Sequence, residues 1–263
     1  MGAKLANAPV FLTAAQLRHN PILALDDYAV ALQEQFRKIG FPDYKVRVQS
    51  EFEFDTSNPS GVKVKSQEAR QHSYLNRKGD ACFVIENSRL FFQVTEYDVF
   101  ETFRDEFLKG LELLHSIVTL DYVDSVSMRL LDAIVPYEKE ELSAYLAKEL
   151  LGIGETLEQP NWRIAHSASE AAIKTSAHTI IVRTLARYGK LAVPPDLNIH
   201  GMQIMSRFSA IEGVHAILDS DCVFESRKDF DLAEISSRLR LLKDDLRTTF
   251  HAAVTKYALD RWS

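Results

Sequence analysis

Two arginines lead the residues that could do chemistry. Arg18 and Arg129 each stand late in a predicted strand, shortly before a proline, Pro21 and Pro136. A guanidinium so placed can grip an anion or a partner's carboxylate through paired N–H bonds. The ordinary fate of a half-buried arginine is an ion pair inside the fold, and that reading stands beside the first. Asp219 and Asp221 form a D-x-D pair, with Glu225 further along the same predicted strand. The two-residue period of a strand puts them on one face, where hard cations such as Mg²⁺ take carboxylate oxygens. The alternative is an acidic face paired with Arg or Lys across the sheet. His166 and Glu170, four residues apart in another predicted strand, would complete a cross-strand metal or acid–base site with the two aspartates. His178, His200 and His215 are scattered over other predicted strands, without the spacing of a zinc set.

Motifs that would name a reaction are absent. The sequence holds no C-x-x-C, no H-E-x-x-H, no G-x-S-x-G and no G-K-[ST]. Gly152-Ile153-Gly154-Glu155 lacks the third glycine and the preceding strand of a dinucleotide loop. Cys82 and Cys222 sit in apolar strand context and read as packed, inert thiols. Phe91, Phe92, Phe100, Phe103 and Phe107 cluster at a strand-to-helix junction with the spacing of a core, not of a base-stacking platform. No cofactor is expected.

Composition narrows the classes further. The 263 residues are 46% hydrophobic and 26% charged, the balance of a folded globular chain. The net charge of -6 argues against a general nucleic-acid binder, which carries a basic excess. Two distant cysteines suggest a reducing compartment. Neither a signal-like apolar run near the start nor a stretch of membrane-spanning length is found, so a cytoplasmic protein is expected.

The elements that must position these residues follow from periodicity. Residues 10–19 read as a strand, followed by a helix that gathers Tyr28, Leu32, Phe36 and Ile39 on one face. Segment 44–54 alternates strictly, which predicts one buried face (Val46, Val48, Phe52, Phe54) and one wet face. Strands are predicted at 66–77, 81–86 and 89–97, and a long helix at 99–118 with Phe100, Phe103, Phe107, Leu111 and Leu114 on one stripe. The order then restarts: a strand at 122–134, a helix at 138–151, strands at about 162–173, 178–188, 199–208 and 214–225, and a final helix at 231–259. The chain therefore divides into two α+β repeats, 1–120 and 121–263, forming one antiparallel sheet backed by long helices. This β-α-β4-α order resembles the duplicated TATA-box-binding-protein-like fold, a resemblance of topology that transfers no function.

Four stretches carry a second resemblance: NAPVFLTAAQLRHNPI (7–22), RLLDAIVP (129–136), AILDSD (216–221) and LKDDLRTTFHAAVTKYALDRW (242–262). Together they are similar to a sporadically distributed bacterial family of uncharacterised proteins of similar length. The patchy distribution of that family implies a role in mobile-element conflict, antiviral defence or an accessory gene cluster. It supplies no catalytic residue. One departure stands out: where the family pattern leads us to expect an asparagine at the strand end after the second Arg, this chain reads Leu130-Leu131-Asp132.

These readings converge on a non-enzymatic binding or assembly protein. It would hold a protein or peptide partner on a sheet face and its loops, through residues such as Arg18, Arg129, Asp219 and Asp221, and could pair as a homodimer. The loops at 55–66 and 189–198 occupy different places in the two halves, and long loops on a rigid sheet are where binding tends to reside. The alternatives are a nucleotide or nucleic-acid sensor using both arginines on phosphate, and a metal-dependent enzyme.

Overall fold

The computed structural model describes residues 5–55, 63–153 and 165–263, with the side chains of 49–69 outside the description. Along the chain run β1 (Val10–His19), α1 (Ala29–Lys38), β2 (Asp43–Asp55), β3 (Lys63–Leu75), β4 (Ala81–Glu86), β5 (Arg89–Val94) and α2 (Phe100–Val118). They are followed by β6 (Tyr122–Ile134), β7 (His166–Lys174), β8 (Thr179–Lys190), α3 (Ser206–Ser209), β9 (Glu212–Asp229), α4 (Leu232–Ala253) and α5 (Lys256–Trp262). The nine strands make a single antiparallel sheet ordered β2-β3-β4-β5-β1-β6-β9-β8-β7. The architecture is α+β, and no described helix is long and apolar enough to cross a membrane.

Strand alternation sends hydrocarbon to both faces at the sheet centre. On one face, Leu17, Phe83, Phe92, Met128 and Leu218 meet the buried stripes of the helices. The stripe read from the sequence of α2 is buried there throughout: Phe100, Phe103, Phe107, Leu111 and Leu114. Helix α4 buries Ile235, Leu239, Leu242 and Leu246, and its first turn is closed by the Asp231 carboxylate, which accepts from the backbone N–H groups of Ala233 and Glu234. Aromatic rings fill the angle between α1, α2 and the sheet. Phe83 stacks on Phe92 at 4.4 Å and meets the ring of Phe41 edge-on at 4.8 Å.

One position in α2 is closed to any side chain. A Cβ built on Gly110 would lie 2.2 Å from Cε1 of Phe83. That ring is held by its aromatic neighbours and cannot yield cheaply. Gly110→Ala is expected to cost about 1–3 kcal/mol despite the better helix propensity of alanine. The loss is read as a lower urea midpoint. An unchanged or raised midpoint would show that α2 can slide off the sheet.

The opposite face is covered by a strap. Residues 191–211 leave β8, cross the sheet and return to β9, the ends tied by Leu191 N–H to Ile211 C=O at 3.2 Å. Met202 and Phe208 are buried against Phe11, Leu12, Leu75 and Val84. At its far end the strap is pinned to the other half of the sheet. Gln203 N–H donates to Gly79 C=O at 2.7 Å, and Thr95 Oγ1 donates to Gln203 C=O at 2.6 Å.

Four expectations are corrected. The segment 199–208 is not a strand: His200 and Gly201 hold φ of +52° and +87°, two left-handed residues in a row, which no strand accommodates. The segment 138–151 is not an α-helix. Only two 3₁₀ turns form, at Leu142–Ala144 and Lys148–Leu150. Leu146 bridges Val254 between them, so backbone groups that a helix would bond internally face the C-terminal segment instead. That bridge also divides the predicted last helix. Thr255 donates its N–H to Tyr145 C=O at 2.9 Å, and its hydroxyl accepts from Ala258 N–H at 3.1 Å to start α5. Finally, the predicted dry face of β2 is wet where described: Val46 and Val48 are 44% and 54% exposed. Of β3, only His72 to Leu75 pair with β4, so the β2–β3 ribbon extends past the covered sheet. The side chains of the remaining members of that face, Phe52 and Phe54, lie outside the description, as do part of the loop 55–66 and the start of the strand predicted at 162.

Candidate functional site

The strap side of the sheet carries nearly every residue singled out by type and spacing. Register explains why. Arg129 on β6 lies opposite Asp221 on β9, and Asp219 lies opposite Arg183 on β8, which lies opposite Glu170 on β7. Residues two apart share a face, so the set converges on one surface of four adjacent strands. Arg129 Nε and Nη2 donate to the two oxygens of Asp219 at 2.7 Å each, a bidentate pair. Its Nη1 donates to Asp196 of the strap at 2.6 Å. Arg183 Nε donates to Glu170 at 2.6 Å, and its Nη1 stands 3.6 Å from Asp219.

Two guanidinium groups here face four carboxyls, Asp196, Asp219, Asp221 and Glu170. Burial works against the charge on Arg129, but its hydrogen bonds to Asp219 and Asp196 outweigh it and raise the pKa. The hydrogen bond from Arg129 holds the Asp196 carboxyl below the usual range. Burial pushes the Asp221 carboxyl up, against the pull of Arg129. Among the described residues no group of three or more His, Cys, Asp and Glu side chains is disposed to hold a metal ion. Glu170 and Asp219 are both served by Arg183, while His166 lies at the end of β7 opposite Arg187.

Arg18 stands apart from this array. It is exposed on β1, opposite Arg89 of β5 on one side and Ser125 of β6 on the other. Arg18 and Arg129 are therefore not brought together. The other histidines serve local contacts: His178 stands 2.6 Å from Asp245 on α4, and His215 Nδ1 lies 3.0 Å from Gly213 C=O. Both cysteines are buried and free, and burial lifts each thiol to about 12.

Next to the ion array opens a cleft of about 650 Å³ between the strap and strands β3 to β5. Glu86, Arg89, Phe91 and Gln93 form its floor, and Asp196 and His200 its strap wall. Arg89, Phe91 and Gln93 alternate along β5, so one face presents all three. Two polar atoms here are buried without a partner: the amide oxygen of Gln93 and Nε of Arg89. Gln93 is 3% exposed. Arg89 Nη1 lies 3.7 Å from Glu86, beyond hydrogen-bond reach. His200 is lowered to about 4 by burial and, secondarily, by the charge of Arg47, so it is neutral at physiological pH.

Sequence reasoning did not find this cleft. Gln93 and Arg89 belong to no motif, and the sequence of the strap predicts a loop followed by a strand. The one available signal was the pair Pro194-Pro195 in a stretch of long connection.

Scans against protein-family models and against curated proteins give no match to this chain.

Proposed function

We propose that the chain is a binding protein that holds an extended peptide segment of a partner protein in the cleft between the strap and β5. The observation that carries this reading is the unpaired acceptor on Gln93 and the unpaired donor on Arg89 in one cleft floor. Buried polar atoms without partners are costly, and a ligand that pairs them recovers that cost. Each peptide group offers one N–H and one C=O. The two residues are four apart on a strand, roughly 13 Å, which is also four residues of an extended guest chain. Phe91 between them offers a ring for a guest side chain. Phosphate is a poorer fit, because the nearby guanidinium groups of Arg129 and Arg183 are already occupied by carboxylates.

The same reading takes the two halves as copies of one module. Outward from the central pair β1 and β6 come β5 and β9, then β4 and β8, then β3 and β7, with β2 alone lacking a counterpart. In the first half the last hairpin turns through Asn87-Ser88, while in the second the equivalent connection is the strap. The strap is then an elaboration of one copy that reaches over the other. The partner, on this reading, comes from the accessory or defence-related gene cluster implied by the sequence resemblance.

Peptides tiled across the products of neighbouring genes test the proposal by calorimetry. A peptide is expected to bind with micromolar affinity, and Gln93→Leu to weaken it about tenfold or more. The reading fails if no tiled peptide binds, or if the bound one is indifferent to both Gln93→Leu and Arg89→Met.

A further inference from the structure

The helix side of the sheet holds a separate cavity of about 190 Å³, bounded by the N-terminal segment, β1, β6 and α4. Leu5, Pro9, Met128, Leu130, Leu246 and Phe250 line it with hydrocarbon. Lys243 and Arg247 also stand in its wall. Lys243 Nζ is engaged by Asp244 at 3.1 Å, and Arg247 is exposed, so both contribute chiefly their methylene stems.

One lining residue does not belong in such a place. Asp132 is 4% exposed. Among the described residues its carboxyl has no hydrogen-bond or ion-pair partner. Its neighbours on the same face of β6, Met128, Leu130 and Ile134, are hydrocarbon, and packing alone would be served by another apolar residue. A β-bulge between Val10 and Leu12 widens the ladder directly beside it, opposite Asp132.

The geometry points to this cavity as a binding site for a small organic amine, its ammonium paired with Asp132 and its hydrocarbon body in the apolar lining. A protonated amine brings the charge the carboxylate lacks and up to three donors. A bare metal ion is a poor match, since hard cations need several oxygens and the lining offers one carboxyl. The size is adequate: an apolar cavity of about 150 Å³ in an unrelated protein takes up benzene. A ring bearing one aminomethyl group is therefore of the right order. Arg247 is exposed, so its repulsion of a second cation is screened by salt. This site is on the far side of the sheet from the cleft and does not depend on the peptide reading.

Calorimetry of the full chain with benzylamine, benzyl alcohol and toluene at about pH 8 decides the matter, because the carboxyl is then ionised and the amine still charged. Benzylamine is expected to bind at least about tenfold more tightly than either neutral analogue. Asp132→Asn keeps the shape and should lose about that factor for benzylamine while leaving toluene unchanged. Ala8→Leu, which fills the cavity from the N-terminal segment, should weaken all three. Equal binding of toluene and benzylamine, benzylamine affinity that survives Asp132→Asn, or no binding of any of the three would each overturn the assignment.

Discussion

Replacing Arg129 with methionine is expected to lower the stability by about 3–5 kcal/mol, the usual cost of stranding one partner of a buried ion pair. Urea unfolding reads this as a lower midpoint at unchanged slope. The stranded group is Asp219, whose side chain is 1% exposed. Without Arg129 the cation left to it is Arg183, at 3.6 Å and shared with Glu170. The double variant Arg129→Met with Asp219→Leu removes the charge together with its partner and should recover most of the loss. Asp196→Ala should behave differently. That carboxylate is 60% exposed, and exposed pairs are worth little, so a cost below about 1 kcal/mol is expected. A double variant no more stable than Arg129→Met alone would mean that the loss arises elsewhere, for instance in the strap.

What could be read in the sequence divides along a physical line. Elements whose side chains face one continuous surface were legible. Strands β1, β4 and β6 fall at their expected residues, and the stripe of α2 is buried as its spacing demanded. Elements whose conformation depends on a distant backbone were not. Residues 138–151 have the composition of a helix, yet Leu146 pairs with Val254, and a tertiary bond of this kind overrides local propensity. The strap is apolar at Leu191, Val193, Leu197, Ile199, Met202 and Ile204, without a fixed period, because each residue fills a hole on the sheet and not a stripe. A window that looks for periods of 2 or 3.6 cannot see it.

The candidate site divides in the same way. Asp219 and Asp221 group from strand period alone, whereas Arg129 joins them through the β6–β9 register and Glu170 through β8, registers that the sequence does not display. Arg18 does not join them, because the β1–β6 register sets Ala14 opposite Arg129 and carries Arg18 four residues further along the strand, opposite Ser125. The cleft was invisible for a stronger reason: it exists only where the strap, fixed at Gln203 and Thr95, stands off from β5. No property of Gln93 itself announces that its amide oxygen will be buried unpaired.

Asp132→Asn is expected to stabilise the protein near neutral pH and to leave it unchanged in acid. Burial pushes the Asp132 carboxyl from 3.8 to about 7, while the unfolded chain keeps the ordinary value. The folded pKa thus lies above the unfolded one. Below about pH 4 both states hold the proton, and the full stability is present. Between about pH 4 and pH 7 the unfolded state releases its proton first, so stability falls as pH rises. About three pKa units correspond to about 4 kcal/mol by pH 7 and above. Asparagine cannot ionise, so its stability is flat across that window as far as this position is concerned. The charged groups that share the cavity wall are Lys243 and Arg247 of α4. Were either to turn inward onto the carboxylate, it would hold the proton off and flatten the wild-type curve. Calorimetric melting of both proteins between about pH 4 and pH 8 gives the comparison. The gap should be near zero at the acid end and widest at the basic end; a constant gap would place the effect in packing. Benzylamine should narrow the gap at the basic end only, since an ammonium on Asp132 stabilises the ionised carboxylate in the folded state and has no comparable site in the unfolded chain.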